Sequence, residues 1–174
     1  MLISVYADGS SNGRSNAPIG WGFVVVNLAE ETIVCAGNGG LPVGTNNQAE
    51  MLGAIEGLEA AIARGLHLTN SIELVSDSMY TLNMAADRCI PNTNHDLINR
   101  LQTLFKAAKA TTRWVRGHSG EIINVQCDKL AKAARDALSP AKPIKKRRSK
   151  RQRQEQSRKR MLTKEYKANE LVGI

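Results

Sequence analysis

The 174-residue sequence predicts an α/β domain. Its core is a five-stranded mixed sheet, three antiparallel strands followed by parallel additions, flanked by helices, and a basic C-terminal arm follows. Three observations predict this. From Leu2 to Ser10, Ile3, Val5 and Ala7 alternate with Ser4, Tyr6 and Asp8, the period of a strand whose two faces are used differently. The later elements read β-β-β-α-β-α-α-β-α, an order that gives a hairpin region extended by strands joined through helices. The charge divides sharply. Residues 1–138 carry 11 cationic and 13 acidic side chains (net −2) and residues 139–174 carry 13 and 3 (net +10), together the +8 of the whole chain. The expected boundaries are therefore 1–138 for the globular domain and 139–174 for the arm.

In order, the first strand is expected to stop at Asp8, where Gly9-Ser10 breaks the pattern. Residues 11–18 carry turn chemistry. Gly20–Leu28 and Glu31–Asn38 read as two further strands joined as hairpins, and Gly39–Gly44 reads as a loop. Asn46 or Asn47 can cap a helix in which Ala49, Leu52, Ile55, Leu58, Ala61 and Ile62 recur at helical spacing to about Arg64. Glu50 is expected in its first turn, where the helix dipole favours a carboxylate. Gly65 ends this helix. Ser71–Ser76 is a short strand stopping at Asp77, Ser78–Asp87 and Asp96–Lys109 are helices, and Thr111–Arg116 is the fifth strand. Asn124 or Val125 begins a last helix running to Leu138, with Asp128 in its first turn. A right-handed crossover through the long helix places the Ile72 strand beside the first one, so that Asp8 and Asp77 sit at the carboxyl ends of neighbouring strands.

Asp8, Glu50, Asp77 and Asp128 each fall at the end of an element. Four acids among 13 can be a solvated surface. If they converge, repulsion of about 1 kcal/mol per pair at ~4 Å in bulk water, and several-fold more near protein, must be offset. A hard divalent cation does this, and all-oxygen ligation suits Mg²⁺ or Mn²⁺. Two ions about 4 Å apart activate a water and stabilise a leaving oxygen, the chemistry of phosphodiester hydrolysis.

Five segments carry a family resemblance: Tyr6-Ala7-Asp8-Gly9-Ser10; Gly20-Trp21-Gly22; Thr45-Asn46-Asn47-Gln48-Ala49-Glu50; Ser76-Asp77-Ser78-Met79-Tyr80; and Trp114-Val115-Arg116-Gly117-His118-Ser119-Gly120, continuing to Asn124 and Cys127-Asp128-Lys129-Leu130-Ala131. In this order and spacing they resemble type 1 ribonuclease H over residues 1–138. The resemblance implies a ribonuclease H-like fold and an endonuclease that hydrolyses the RNA strand of RNA/DNA hybrids to 5′-phosphate products. It implies Asp8, Glu50, Asp77 and Asp128 as ligands of two Mg²⁺ ions per site, with Mn²⁺ as a substitute, and His118 as a loop histidine that assists proton transfer or product release.

The same resemblance assigns Asn12, Asn46 and Asn47 to the RNA strand, whose 2′-hydroxyl both donates and accepts; Asn16 is an alternative to Asn12. Met79 stands where many bacterial members have Gln and reads as a groove-packing residue or a core methionine. Thr45 and Asn94 resemble a pocket for a DNA-strand phosphate, although Val43 and Gly44 stand where some members carry an arginine. Arg88–Asn94 is too short for the basic, Trp-rich insertion that many members use to hold the hybrid, and no hybrid-binding module is expected before the first strand.

The arm is the candidate substitute. Lys145, Lys146, Arg147, Arg148, Lys150, Arg151 and Arg153 form one basic block and Arg158-Lys159-Arg160 a second, beyond a linker marked by Pro140 and Pro143. Few apolar anchors separate these charges, so the arm is expected to be disordered until bound, or helical. It suits phosphate backbones, with a nuclear-localisation or partner-binding role as the rival reading. Cys35, Cys89 and Cys127 form no Cys-x-x-Cys pair and read as free thiols. No apolar run approaches the ~18 residues of a membrane span, and residues 1–8 lack the pattern of a signal peptide. The expected protein is intracellular, cytoplasmic or nuclear, monomeric, and bound to RNA/DNA hybrid, with any polymerase or replication partner unnamed by the sequence. Two other classes compete: a hybrid- or RNA-binding module dominated by the arm, and another nuclease or strand-transfer enzyme on the same sheet.

Overall fold

A computed structural model describes residues 1–13, 16–117 and 120–139. Within the first compact unit, Met1–Pro140, the elements are β1 (Leu2–Ser11), β2 (Ala17–Asn27), β3 (Thr32–Gly44), α1 (Asn46–Ala63), α2 (Leu66–Thr69), β4 (Ser71–Ser76), α3 (Met79–Ala85), α4 (His95–Ala107), β5 (Thr111–Trp114) and α5 (Ile122–Leu138). The second unit, Ala141–Ile174, lies outside the described residues, and with it the basic block from Lys145 to Arg153.

One five-stranded sheet runs in the order β3-β2-β1-β4-β5. β1 to β3 are antiparallel, and β4 and β5 add in parallel, as the element order predicts. The alternation in β1 sorts its neighbours. Ile3, Val5 and Ala7 meet Met51, Ile55 and Leu58 of α1 in the larger core, which also takes in Leu82 of α3 and Ile98 and Leu101 of α4. Tyr6 turns the other way, into a smaller cluster with Val24, Val26, Val75, Val115 and Cys127 under α5.

Four expectations need correction. β1 does not break at Gly9-Ser10 but runs to Ser11, because β2 pairs with it throughout that stretch, Asp8 opposite Gly22 and Ser11 opposite Ile19. Residues 39–44 are strand, not loop: β3 continues to Gly44, with Gly39 opposite Trp21 and Gly40 opposite Gly20. Gly39 makes room for a ring rather than a turn, as Gly37 does earlier in the strand. A Cβ on Gly37 would lie 2.6 Å from the Phe23 ring, and one on Gly39 2.5 Å from the indole of Trp21. Thr45, not Asn46 or Asn47, caps α1: its hydroxyl accepts from Gln48 N while the Gln48 side chain accepts from Thr45 N, a reciprocal capping box. Finally, Glu50 and Asp128 both sit beyond the first turn of their helices, because α1 begins at Asn46 and α5 at Ile122. The first-turn dipole argument therefore applies to neither.

Gly65 ends α1 in the left-handed region at φ 69°, where a side chain is disfavoured; the single-turn α2 that follows has no counterpart in the periodicity. Cys35, Cys89 and Cys127 are free. No described helix is long and apolar enough to cross a membrane.

Candidate metal centre

The site begins where the β1–β4 ladder ends. The last parallel pair is Tyr6 with Val75. Past it β1 continues alone on that side, while β4 stops at Ser76 and Asp77 follows immediately. Asp8 and Asp77 thus emerge at the carboxyl ends of adjacent strands, where open sheets place their sites. The end of the ladder also leaves a backbone donor unclaimed, and Gly9 N–H donates to Glu50 Oε2 at 3.1 Å. Helix α1 can come this close only because residue 9 is a glycine: a Cβ there would lie 2.4 Å from Glu50 N. The other Glu50 oxygen accepts from Asn46 Nδ2, one turn earlier, at 3.2 Å.

One carboxylate oxygen from each of Asp8, Glu50 and Asp77 can be chosen such that all three lie within 4.8 Å of one another. Asp8 and Glu50 are buried, at 6% and 7% exposure. Charge gathered in so little solvent resists ionisation. Burial, then the charges of Asp77 and Asp128, push the Asp8 carboxyl up to about 7 against the weaker pull of the Gly9 N–H. Burial, then Asp8 and Asp77, push Glu50 up to about 9 despite its two hydrogen bonds. Such a group is completed by a positive charge. Three converging carboxylates, with one backbone N–H and one side-chain amide as their named donors, fit a hard divalent cation.

Asp128 stands apart from this trio. It reaches across from α5 closely enough for its charge to raise Asp8, but its Oδ2 accepts from Lys132 Nζ at 2.6 Å, one helical turn on. Trp114 and Gly117 border Asp77 instead. The Trp114 indole N–H donates to Asp77 O at 3.0 Å, and a Cβ on Gly117 would lie 2.6 Å from Asp77 Oδ2. The chain therefore passes directly against this carboxylate before reaching His118, which lies outside the described residues.

Of the remaining site residues, Asn12, Thr45, Asn46 and Asn47 are exposed. Met79, the first residue of α3, is 50% exposed, so it is not a core methionine. Thr45 and Asn94 are joined by a residue not singled out beforehand. Gln48 accepts from Thr45 N at 2.8 Å and donates through Nε2 to Asn94 Oδ1 at 3.1 Å. The Thr-x-x-Gln spacing before an apolar run is the signature that would have found it. Asn94 holds a left-handed conformation at φ 60°, and with Gln48, His95, Asp96 and Leu97 it lines an open groove at the end of α1.

A second polar network, centred on Arg113, carries no sequence signal. Arg113 Nε meets Glu73 Oε2 at 2.7 Å and Arg113 Nη2 donates to Tyr6 Oη at 2.8 Å. Tyr6 Oη in turn donates to Glu121 Oε1 at 2.9 Å. Because Glu121 occupies the N-cap position of α5, the network ties the start of that helix to three strands.

Residues 2–136 match the model of the RNase H family. The Ribonuclease H of Nitratidesulfovibrio vulgaris (strain DP4) is 33% identical over 146 residues, covering 75% of this chain and 87% of its own. The N-terminal RNase H domain of a Mycobacterium tuberculosis protein, solved as a fusion with maltose-binding protein, is 27% identical, with a TM-score of 0.68 over 79% of this chain and 95% of that one. LC11-RNase H1, solved in complex with an RNA/DNA hybrid, is similar in fold, with a TM-score of 0.68 over 79% of this chain and 99% of that one at 20% identity.

Proposed function

Because the chain belongs to the RNase H family, we propose that it hydrolyses the RNA strand of RNA/DNA hybrids internally, with two divalent ions held by Asp8, Glu50, Asp77 and Asp128. The observation that carries this reading is the convergence of three carboxylates at the open end of the β1–β4 ladder. Structural likeness to a family enzyme solved on an RNA/DNA hybrid supports the substrate class.

Asp8, Glu50 and Asp77 would hold the first ion, and Asp128 would join them once its carboxylate is released from Lys132. Bound there, Mg²⁺ or Mn²⁺ supplies Lewis-acid activation of a water and charge stabilisation at the leaving oxygen. The water oxygen bonds to phosphorus as the P–O3′ bond breaks. The leaving O3′ takes a proton to become a 3′-hydroxyl, and the phosphate stays on the 5′ side of the downstream fragment. The protein orients this exchange. Glu50 is fixed by Gly9 N–H and Asn46, so its carboxylate needs little reorganisation to meet an ion. Asn12, Asn46 and Asn47 present amides that can both donate to and accept from a 2′-hydroxyl, the group that separates RNA from DNA. Thr45 and Asn94, spaced by Gln48, offer polar groups to a phosphate of the DNA strand. His118 moves a proton or speeds product release, and the basic arm supplies the phosphate-neutralising charge that the short Arg88–Asn94 segment does not.

The test is cleavage of one labelled RNA/DNA hybrid by the full chain in Mg²⁺ or Mn²⁺ across a salt series, beside Asp77→Asn and a variant with Lys145, Lys146, Arg147 and Arg148 replaced by alanine. The expected result is RNA-strand scission by the native chain, none by Asp77→Asn, and weakening at high salt that is shallower in the arm variant. Tight binding without scission in either metal would overturn the reading in favour of a binding module.

A further inference from the structure

The chain has two tryptophans, and the fold treats them oppositely. Trp21 is packed away, 6% exposed, and its Nε1 has no hydrogen-bond partner among the described residues. Trp114 is 51% exposed at the end of the edge strand β5, yet its Nε1 is bonded, donating to Asp77 O. Indoles are ordinarily highly buried. Here the polar edge of the ring is satisfied by a backbone carbonyl while half of the residue is left in water. The anchor is the backbone of a residue whose carboxylate belongs to the metal-binding trio. Met79, two residues beyond Asp77, is half-exposed as well, so the rim of the site offers apolar surface on both the β5 and the α3 side.

We propose that the exposed face of Trp114 is a substrate-contact surface, on which sugars of the nucleic-acid strand lying over the carboxylate trio pack. This deepens the proposed function and rests on it. A hybrid duplex keeps its bases stacked internally and displays sugar faces and 2′-hydroxyls along a wide, shallow minor groove. A flat apolar ring matches the C–H faces of those sugars. Because the Asp77 carbonyl already holds the indole, contact costs little side-chain entropy. The contact is sequence-tolerant, and it places neutral, desolvating surface beside the trio where more positive charge would compete with the bound ions.

The two tryptophans make the test direct. The full chain is titrated with an uncleaved RNA/DNA hybrid in chelator, at about 200 mM salt to weaken the electrostatic term. Indole emission is recorded together with anisotropy of the labelled hybrid. The native chain is expected to show a saturable change in emission that tracks binding. Trp114→Phe loses the emission change but keeps affinity within about twofold, since a flat ring remains. Trp114→Ala loses the change and binds about tenfold more weakly, since the apolar contact area of the ring is lost. Circular dichroism melts check that both variants are folded. Binding by the native chain with unchanged emission, or equal affinities for Trp114→Ala and the native chain, would overturn this proposal and leave the proposed function intact. Absence of both binding and cleavage would overturn the two together.

Discussion

On the face covered by α1, β1 contributes Ile3, Val5 and Ala7 to a dry core shared with three helices. On the face covered by α5, the alternate residues of the same strand are Ser4, Tyr6, Asp8 and Ser10, and most of them are held by polar contacts. Ser4 Oγ donates to Glu73 at 3.3 Å, Tyr6 joins Arg113 to Glu121, and Ser10 Oγ accepts from Arg135 of α5 at 2.7 Å. Both faces bring an acid to the same end of the sheet, by different physics. Glu50 is carried in by a helix locked through close packing on Gly9. Asp128 comes on a helix that also packs closely, on Gly20 and Gly22 and over a small apolar cluster, but that adds hydrogen bonds from Arg135 to Ser10 and from Tyr6 to Glu121, and it remains paired to Lys132. Both faces therefore supply close packing, and the α5 face adds polar contacts and an acid whose charge is paired on its own helix.

The largest expected effect ignores the distinction. Asp77→Asn should reduce RNA cleavage to background while circular dichroism shows a folded protein, because Asp77 follows β4 directly and belongs to the carboxylate trio proposed to hold the metal. Residual cleavage near the native rate would remove Asp77 from the ligand set.

Next, the dry face should yield the greater loss of stability. Leu58→Ala, at a fully buried position of α1, should cost about 2–5 kcal/mol by the usual cavity penalty. Arg113→Met on the polar face should cost about 1–2 kcal/mol, since the arginine is one-third exposed and its partners retain some access to water. Urea denaturation of the two variants gives the comparison, and a larger cost for Arg113→Met would invert it.

The carboxylates predict a pH dependence of opposite sign to that of an ordinary salt-bridged acid. Asp8 and Glu50 have native pKa values raised to about 7 and about 9, above their unfolded values. The native state then holds protons that the unfolded state has released. Metal-free stability should fall as pH rises from about 4, through 7 for Asp8 and towards 9 for Glu50. At pH 8 in chelator, Asp8→Asn should melt above the native chain, and Mg²⁺ should raise the native melting temperature more at pH 8 than at pH 5. Equal melting of the two proteins across this range would show that the acids do not repel one another in the folded state.

The smallest effect sharpens the reading of Asp128. Lys132→Met removes an i,i+4 pair that is half-exposed on its lysine side and should change stability by less than about 1 kcal/mol. It should nevertheless tighten Mg²⁺ binding several-fold, measured by calorimetry, because the lysine no longer competes for the Asp128 carboxylate. Unchanged affinity would separate Asp128 from the ion.

Much of this was written locally. The alternation of Leu2–Ser10 and the helical spacing from Ala49 to Ile62 depend only on periodicity and burial, and both elements stand where they are expected. The glycine stretch at 39–44 reads as a loop because sequence cannot distinguish a glycine that turns the chain from one that makes room for a neighbour. Trp21 against Gly39, Leu138 against Gly40 and Ile19 against Gly44, all distant in sequence, require the small residues. The network of Tyr6, Glu73, Arg113 and Glu121 carries no sequence signal, since its members are separated by 40 or more residues on three strands and a helix N-cap position, apart from the shorter step from Arg113 to Glu121.

By itself, the sequence determined which residues alternate, where helices can run, and which short segments resemble a metal-dependent nuclease, because these are properties of neighbours along the chain. The tertiary structure alone decided that β4 pairs with β1 only as far as Tyr6 while β1 runs on to Ser11, which frees Gly9 N–H for Glu50 and leaves the end at which three carboxylates gather. It also decided that Asp128 waits on a lysine and that one indole faces water beside Asp77. The physical reason is that a ladder's end, a repulsion and an exposed ring exist only between elements, and only packing sets the distances at which they act.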